Sequence, residues 1–243
     1  MAITATLGAN AAHIYRGGGR LWIVAYDATK DPKKVHATLD AAAIATATTL
    51  SCYRAVTTEF GATGSLAIDV FAKDAAAEEK AFSALATSDF TIAALTTART
   101  VGAIVKLKGT DDYAVTDWKN LGHLAAEGTE LQDSTPAEYS YNELNEMVGA
   151  FDGERTIQFI TGLMQTSRDM IDFLRDEARG NYYAVKYVVP IVGGGHQIYV
   201  AEMCKLIPDL KLKFAAKAER NIALTIAILK KTDTSTPLEV YEG

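Results

Sequence analysis

The sharpest alternation of apolar and polar positions lies in the second half of the chain. In Leu210–Lys217, apolar side chains at 210, 212 and 214 alternate with lysines at 211 and 213, the period of two that a half-buried strand requires. After Glu219 and Arg220, Ile222, Leu224, Ile226 and Ile228 fall on one face of a second strand, expected to pair antiparallel with the first. Upstream, Asn181–Val189 and Gln197–Met203 are rich in aromatic and β-branched residues and read as strands. Gly193, Gly194 and Gly195 lie between them and supply the positive φ angles of a tight connection, so this pair reads as a long hairpin. Pro190, which donates no backbone hydrogen bond, belongs at a strand end, bulge or free edge.

One helix stands out, from Thr166 to Arg179 and closed by Gly180. Thr166 or Ser167 can cap it, Asp169 suits the first turn, and Met170, Ile171, Leu174 and Ala178 form an apolar stripe. With a strand over Glu154–Thr161, the second half predicts one helix packed on a sheet, a mainly β (α+β) sandwich or half-barrel. The first half, dense in Ala and Thr, echoes this order more weakly. Arg20–Tyr26, Ser65–Phe71 and Val101–Lys108 read as strands, Asp74 caps a helix running through Ala86, and Gly109–Asp112 form a turn before Tyr113–Trp118. The whole chain, 1–243, reads as one β-rich domain, and the echo would fit an internal duplication into about 1–118 and 119–243. From about Gly122 to Asn145 the chain is polar, carries Pro136 and reads as the longest loop.

Composition narrows the function. Among 243 residues, 49% hydrophobic and 22% charged, 24 Lys and Arg face 30 Asp and Glu, a formal charge of −6. That balance describes a folded domain and argues against tight nucleic-acid binding through a basic field. Two cysteines, Cys52 and Cys204, make no disulfide framework or zinc pattern. The N-terminal residues lack a basic and then apolar leader, and no long uncharged apolar run crosses a membrane, so the chain is expected to stay in the cytoplasm where it is made. Phosphate, zinc-protease, nucleophile-elbow and EF-hand motifs are absent. Gly17–Gly19 and Gly193–Gly195 each precede a strand pattern rather than a helix and read as turns. His13, His36, His123 and His196 lack ligand spacing, and Asp111 and Asp112 sit where a turn favours Asp. No catalytic, cofactor-binding or metal-binding residue is therefore assigned, and the expectation is a protein that is not an enzyme. The Tyr182, Tyr183, Tyr187 and Tyr199 cluster reads as packing or subunit contact. Lys211, Lys213 and Lys217 make a one-sided cationic row, read first as a solvated face or edge protection and second as a charge-complementary contact with a neighbouring subunit.

Across about Leu121–Leu229 the order of features resembles bacteriophage major tail tube proteins, the subunits of stacked rings through which DNA leaves the capsid. Gly128–Pro136 looks like the approach to the family's inter-ring loop, with the strand from Glu154 after it. The helix around Ile171–Leu174 looks like the one flanking its β-sandwich. Gly193–Val200 followed by Cys204–Pro208 looks like the turn into its closing strands. The resemblance implies strands that join a ring-shaped β-barrel in a homo-oligomer, a hexameric ring or three copies of a duplicated fold. It also implies tape measure and tail terminator proteins as partners, transient passage of DNA without specific binding, and a place in the virion tail. A non-basic lumen and closed ring agree with the charge balance, since a basic wall would trap phosphates and an open ring would leave strand edges unpaired.

A hairpin apolar on both faces needs a second cover beyond its own core, because one face of an antiparallel sheet normally meets water. On that argument Val188, Gly193, Gly194, Gly195, Ile198 and Tyr199, with Pro136 of the long loop, are the expected subunit-interface residues. A head-completion or baseplate ring protein is the alternative. An enzyme of unfamiliar type would need a pocket uniting residues such as Asp117, His123 and His196.

Overall fold

The structure, a computed structural model, describes residues 19–33, 35–53, 60–70, 78–109, 112–122, 124–135, 137–141, 147–152, 155–164, 168–190, 196–210, 222–232 and 235–242. The fold is mainly β, with a 3-10 turn at Val115–Asp117 and one longer helical segment among the described residues. Every strand pair is antiparallel, and the strands form a large sheet, a small sheet and a projecting hairpin.

The small sheet comes from the Ala/Thr-rich first half. Its strands β2 (His36–Thr38), β3 (Thr49–Ser51), β4 (Gly64–Ile68), β5 (Glu78–Ala86), β6 (Asp89–Ile92) and β7 (Ile104–Leu107) run in the order β2-β7-β4-β5-β6-β3. The two end strands meet through a bridge between Leu39 and Cys52, with Tyr53 N–H donating to Thr38 O at 3.0 Å, so the sheet closes into a six-stranded barrel. Six strands enclose a narrow interior, which small and large residues fill together. Ala37, Ala43 and Ala103 pack there with Leu50, Phe60, Phe82 and Phe90. Phe90 meets Phe60 edge-on at 4.9 Å and Phe82 at 5.6 Å between ring centroids. The helix expected up to Ala86 is a strand over Glu78–Ala86. Alanine favours helix in isolation, but β5 pairs with β4 on one edge and β6 on the other, and barrel closure outweighs so small a propensity.

The large sheet takes β1 (Arg20–Ala25), β8 (Lys119–Asn120), β9 (Leu124–Ser134), β12 (Thr156–Leu163), β13 (Tyr182–Pro190), β14 (His196–Asp209), β15 (Ile222–Leu229) and β16 (Leu238–Glu242). Its order is β8-β1-β13-β14-β15-β12-β9, with β16 beside β14, and it curls into a half-barrel. The barrel is thus inserted between β1 and β8. The expected loop from Gly122 is instead strand: β9 pairs with β12, and β10 (Ala137–Tyr141) pairs with β11 (Met147–Asp152) beyond it. Polar residues mislead there because pairing with Thr156–Leu163 satisfies the backbone whatever the side chains are.

β15 is a strand with Ile222, Leu224, Ile226 and Ile228 buried, as its alternation predicts. Its neighbours are β14 and β12, not the segment from Leu210, because both of its edges are already occupied. Lys211–Lys217 lies outside the described residues. β13 and β14 pair from Pro190↔His196 inward, and Pro190 ends its strand. Cys204–Pro208 belongs to β14, which runs unbroken from His196 to Asp209 and pairs with β15 from Met203 onward. A register shift between Tyr183 and Val185 inserts one extra residue into β14, so Ile198, Val200 and Glu202 share a face with Lys205 and Ile207.

The helical segment begins as α1 (Arg168–Asp172), widens into a π turn over Phe173–Glu177 and closes with a 3-10 turn, Ala178–Gly180. Because the wide turn rotates the chain, Phe173 joins Met170, Leu174 and Ala178 in the core, and Ile171 is only half-buried. Together they cover one face of the large sheet, where Phe173 packs edge-on to Tyr183 at 5.9 Å.

Candidate assembly surfaces and the barrel–sheet seam

The face of the large sheet opposite α1 divides in two. Over β1, β13 and the first part of β14 the barrel covers it. Val188, Ile198 and Val200 pack against Ala67, Val70 and Ile104 of the barrel, while Val24 and Ala184 pack with Tyr113 and Trp118. The second face of the hairpin is therefore buried by the same chain. Val188 and Ile198, expected at a subunit boundary, are 3% and 0% exposed in this internal seam, which answers the argument that sent them to a neighbour. Tyr199 points to the other face, half-buried beside Phe159 at 5.9 Å, with its hydroxyl donating to Gln197 Oε1 at 2.9 Å. Gly193, Gly194, Gly195 and Pro136 lie outside the described residues.

Over β9, β12, β15 and the end of β14 the same face is open. Cross-strand pairing sets its side chains in rows: Gln132, Gln158, Ala227 and Lys205; then Glu130, Ile160, Thr225 and Ile207; then Gly162, Ala223 and Asp209. Gln158 Nε2 donates to Gln132 Oε1 and Gln132 Nε2 to Glu130 Oε1, each at 2.9 Å. Two carboxylates and one ammonium stand on these rows, so the surface is small-featured and close to neutral. Its outer border is β9, eleven residues long, which pairs with β12 on one edge and with no described strand on the other. The β10–β11 hairpin continues the β9–β12 ladder lengthwise, from Ser134↔Thr156 to Ala137↔Asp152. The opposite border, β8, is only two residues long.

The seam holds buried charge. Lys186 of β13 is fully buried, its Nζ 3.3 Å from Nε2 of the buried His36 of β2 and 4.6 Å from the centre of the Trp118 ring. Lys106 of β7 pairs with Asp112, both side chains 4% exposed. Burial, and then the nearby charge of Lys106, push the Lys186 amine well below the ordinary lysine range; Asp112 and Asp31 pull it back less strongly. At the rim, Glu202 accepts from Lys231 at 2.5 Å and lies 3.6 Å from Lys33, tying the β15–β16 connection to the β1–β2 connection. Thr38 Oγ1 lies 3.4 Å from His196 Nδ1, and burial holds that imidazole below its ordinary range.

A single lysine among the apolar residues of β13 hid this cluster, since Lys186 reads as a polar position on an outward face. Its one signal in the sequence is the apolar company of Val185, Val188 and Ile198. Asp117 serves its own turn, accepting from the Ala114 N–H at 3.1 Å, and His123 lies outside the described residues. Among the described residues no three His, Cys, Asp or Glu side chains gather where a metal could bind, and no helix is long and apolar enough to cross a membrane. No protein-family model and no curated protein matches the chain.

Proposed function

We propose that this protein is the subunit of a stacked-ring bacteriophage tail tube, with the open sheet forming one sector of the tube wall. One observation carries the reading: a curled sheet that stops at the eleven-residue β9, whose outer edge pairs with no described strand, and whose ladder with β12 is continued by the β10–β11 hairpin. A long free edge is a template for another strand, and native proteins cover such edges or use them. Heterologous pairing of β9 with the far border of the next copy closes a ring, and a closed barrel has no edge left. The projecting hairpin supplies an axial contact between rings.

The open face suits a channel wall. Its rows are near-neutral and carry no basic cluster, so DNA phosphates gain no counterion-releasing contact and can slide past. The partners on this reading are other copies of the chain, with tape measure and terminator proteins at the tube's core and end. Electron microscopy of the concentrated protein, with and without its assembly partners, tests it. Tubes are expected from the full chain, and single rings when Ala137–Asp152 is replaced by a short turn. Rings that never stack in the full chain would point to a head-completion or baseplate component. A strictly monomeric protein under all these conditions overturns the reading.

A further inference from the structure

We infer that Lys106 and Asp112, buried against each other where the chain leaves the barrel, condense into an intramolecular amide, an isopeptide bond made by the folded chain itself. The site is held from both sides. Lys106 lies on β7, paired with His36 of β2 on one edge and Ala67 of β4 on the other, so its backbone is fixed within a ladder. Its Nζ donates to Asp112 Oδ2, and each side chain is 4% exposed. The other carboxylate oxygen, Oδ1, accepts from the Tyr113 N–H at 2.8 Å. Tyr113 is anchored in turn: its hydroxyl accepts from the Asp27 N–H at 2.8 Å, and its ring meets Trp118 edge-on at 5.7 Å between centroids. The second amine of the site, Lys186, is engaged by the His36 imidazole and the Trp118 face, so Lys106 is the amine directed at the carboxyl.

A neighbouring pair shows what burial changes. Lys108, just past β7, and Glu79 of β5 also meet, but their side chains are 40% and 47% exposed. Hydration keeps such ions as ions. At Lys106 and Asp112 folding has already removed that hydration, which is what ordinarily opposes condensation of an ammonium with a carboxylate. Two groups held in productive geometry react as if at an effective concentration on the order of 10⁵ M or more. Replacing two buried charges by one neutral amide relieves their desolvation cost, and the same exclusion of water protects the bond from hydrolysis.

The step balances without a co-reactant. A proton passes from Lys106 Nζ to Asp112 Oδ2 along their hydrogen bond, leaving a neutral amine beside a carboxylic acid. The nitrogen lone pair adds to Cγ while the carbonyl electrons move onto Oδ1, where the Tyr113 N–H receives the charge. As Oδ1 re-forms its double bond, the Cγ–Oδ2 bond breaks, and a second proton from nitrogen leaves with that oxygen as water. The third proton stays as the amide N–H. One C–N bond replaces one C–O bond, nothing is oxidised or reduced, and the net charge is unchanged. A link spanning six positions constrains little of the unfolded chain, so its effect is local. It staples to the barrel the crossing that carries Tyr113 and Trp118 onto Val24 and Ala184 of the sheet.

Intact-mass spectrometry of the unmodified full chain, folded at neutral pH and then unfolded in acid, tests this. The expected mass is that of the sequence less one water. Trypsin should then cut after Arg99, Lys108 and Lys119 but not after Lys106, and Thr100–Lys108 should stay joined to Gly109–Lys119 as one branched species. Lys106→Arg, whose guanidinium forms no such amide, should show its full mass and separate peptides. Full sequence mass in the unmodified protein overturns the inference. A missing water with the two peptides separate also overturns it, because that is the signature of a cyclic imide, and so does a water loss that persists in Lys106→Arg. Should Lys106→Arg not fold, the branched species of the unmodified chain decides alone. Ring assembly plays no part in the measurement, so the bond and the tail-tube reading stand or fall separately.

Discussion

The two sheets solve the edge problem in opposite ways. The barrel bridges its end strands at Leu39 and Cys52 and leaves no long edge for another chain. The large sheet, with longer strands and the aromatic core around Phe159, Phe173 and Tyr183, ends on β9, whose outer edge pairs with no described strand. A closed sheet stabilises itself; an open one of this length is stable only because α1 and the barrel cover parts of its faces. The difference is one of closure: the barrel's end strands are bridged to each other, whereas the large sheet ends on a long strand whose outer edge meets no described strand.

The chain also carries one buried cysteine in each body, Cys52 in the barrel and Cys204 in the large sheet. Burial pushes the Cys52 thiol up to about 12 and the Cys204 thiol up as well, so both resist labelling until their own body opens. Thiol labelling rates therefore read the two bodies separately. Phe90→Ala should have the largest effect, about 3–5 kcal/mol, because it empties the centre of the barrel. Cys52 should label far faster with Cys204 unchanged; equal acceleration would mean the bodies unfold as one.

Ile198→Ala, which removes bulk from the seam, should cost about 2–4 kcal/mol. Docking supports both bodies, so both thiols should label faster by a similar factor. Acceleration of one alone would assign the seam to that body's core. Gly19→Ala should cost about 1–3 kcal/mol and act on Cys204. A Cβ there would stand 2.5 Å from the Val188 carbonyl oxygen, and backbone cannot move aside as a flexible side chain would.

The smallest effect is electrostatic and confined to the barrel. Burial pushes Glu78 up, but hydrogen bonds from Lys80 and from the Thr96 N–H outweigh it and hold the carboxyl down to about 2, against an ordinary 4.5. A depressed carboxylate stabilises the fold above its unfolded pKa, and that contribution is lost as pH falls from about 4.5 to about 2. Glu78→Gln should cost about 1 kcal/mol at neutral pH and flatten the barrel's acid dependence across that window, measured by hydrogen exchange in β5. An unchanged acid profile would place the barrel's acid sensitivity elsewhere.

The alternating run at Ile222–Leu229 and the runs rich in aromatic and β-branched residues at Arg20–Tyr26, Glu154–Thr161 and Asn181–Val189 determine strands by themselves, because such side chains fit a pleated, packed surface. The mainly β class and the β13–β14 hairpin are legible from those residues alone. Tertiary structure decided the rest. Glu78–Ala86 became a strand because a barrel needed closing, and Leu124–Ser134 because β12 offered an edge. Val188 and Ile198 met a cover within their own chain, since the inserted barrel folds back onto the sheet from between β1 and β8. Lys186 and His36 lie 150 positions apart, and only the seam sets their nitrogens 3.3 Å from each other. Local pattern fixes which way a side chain faces; what stands opposite it depends on contacts between distant segments, and no local period encodes those.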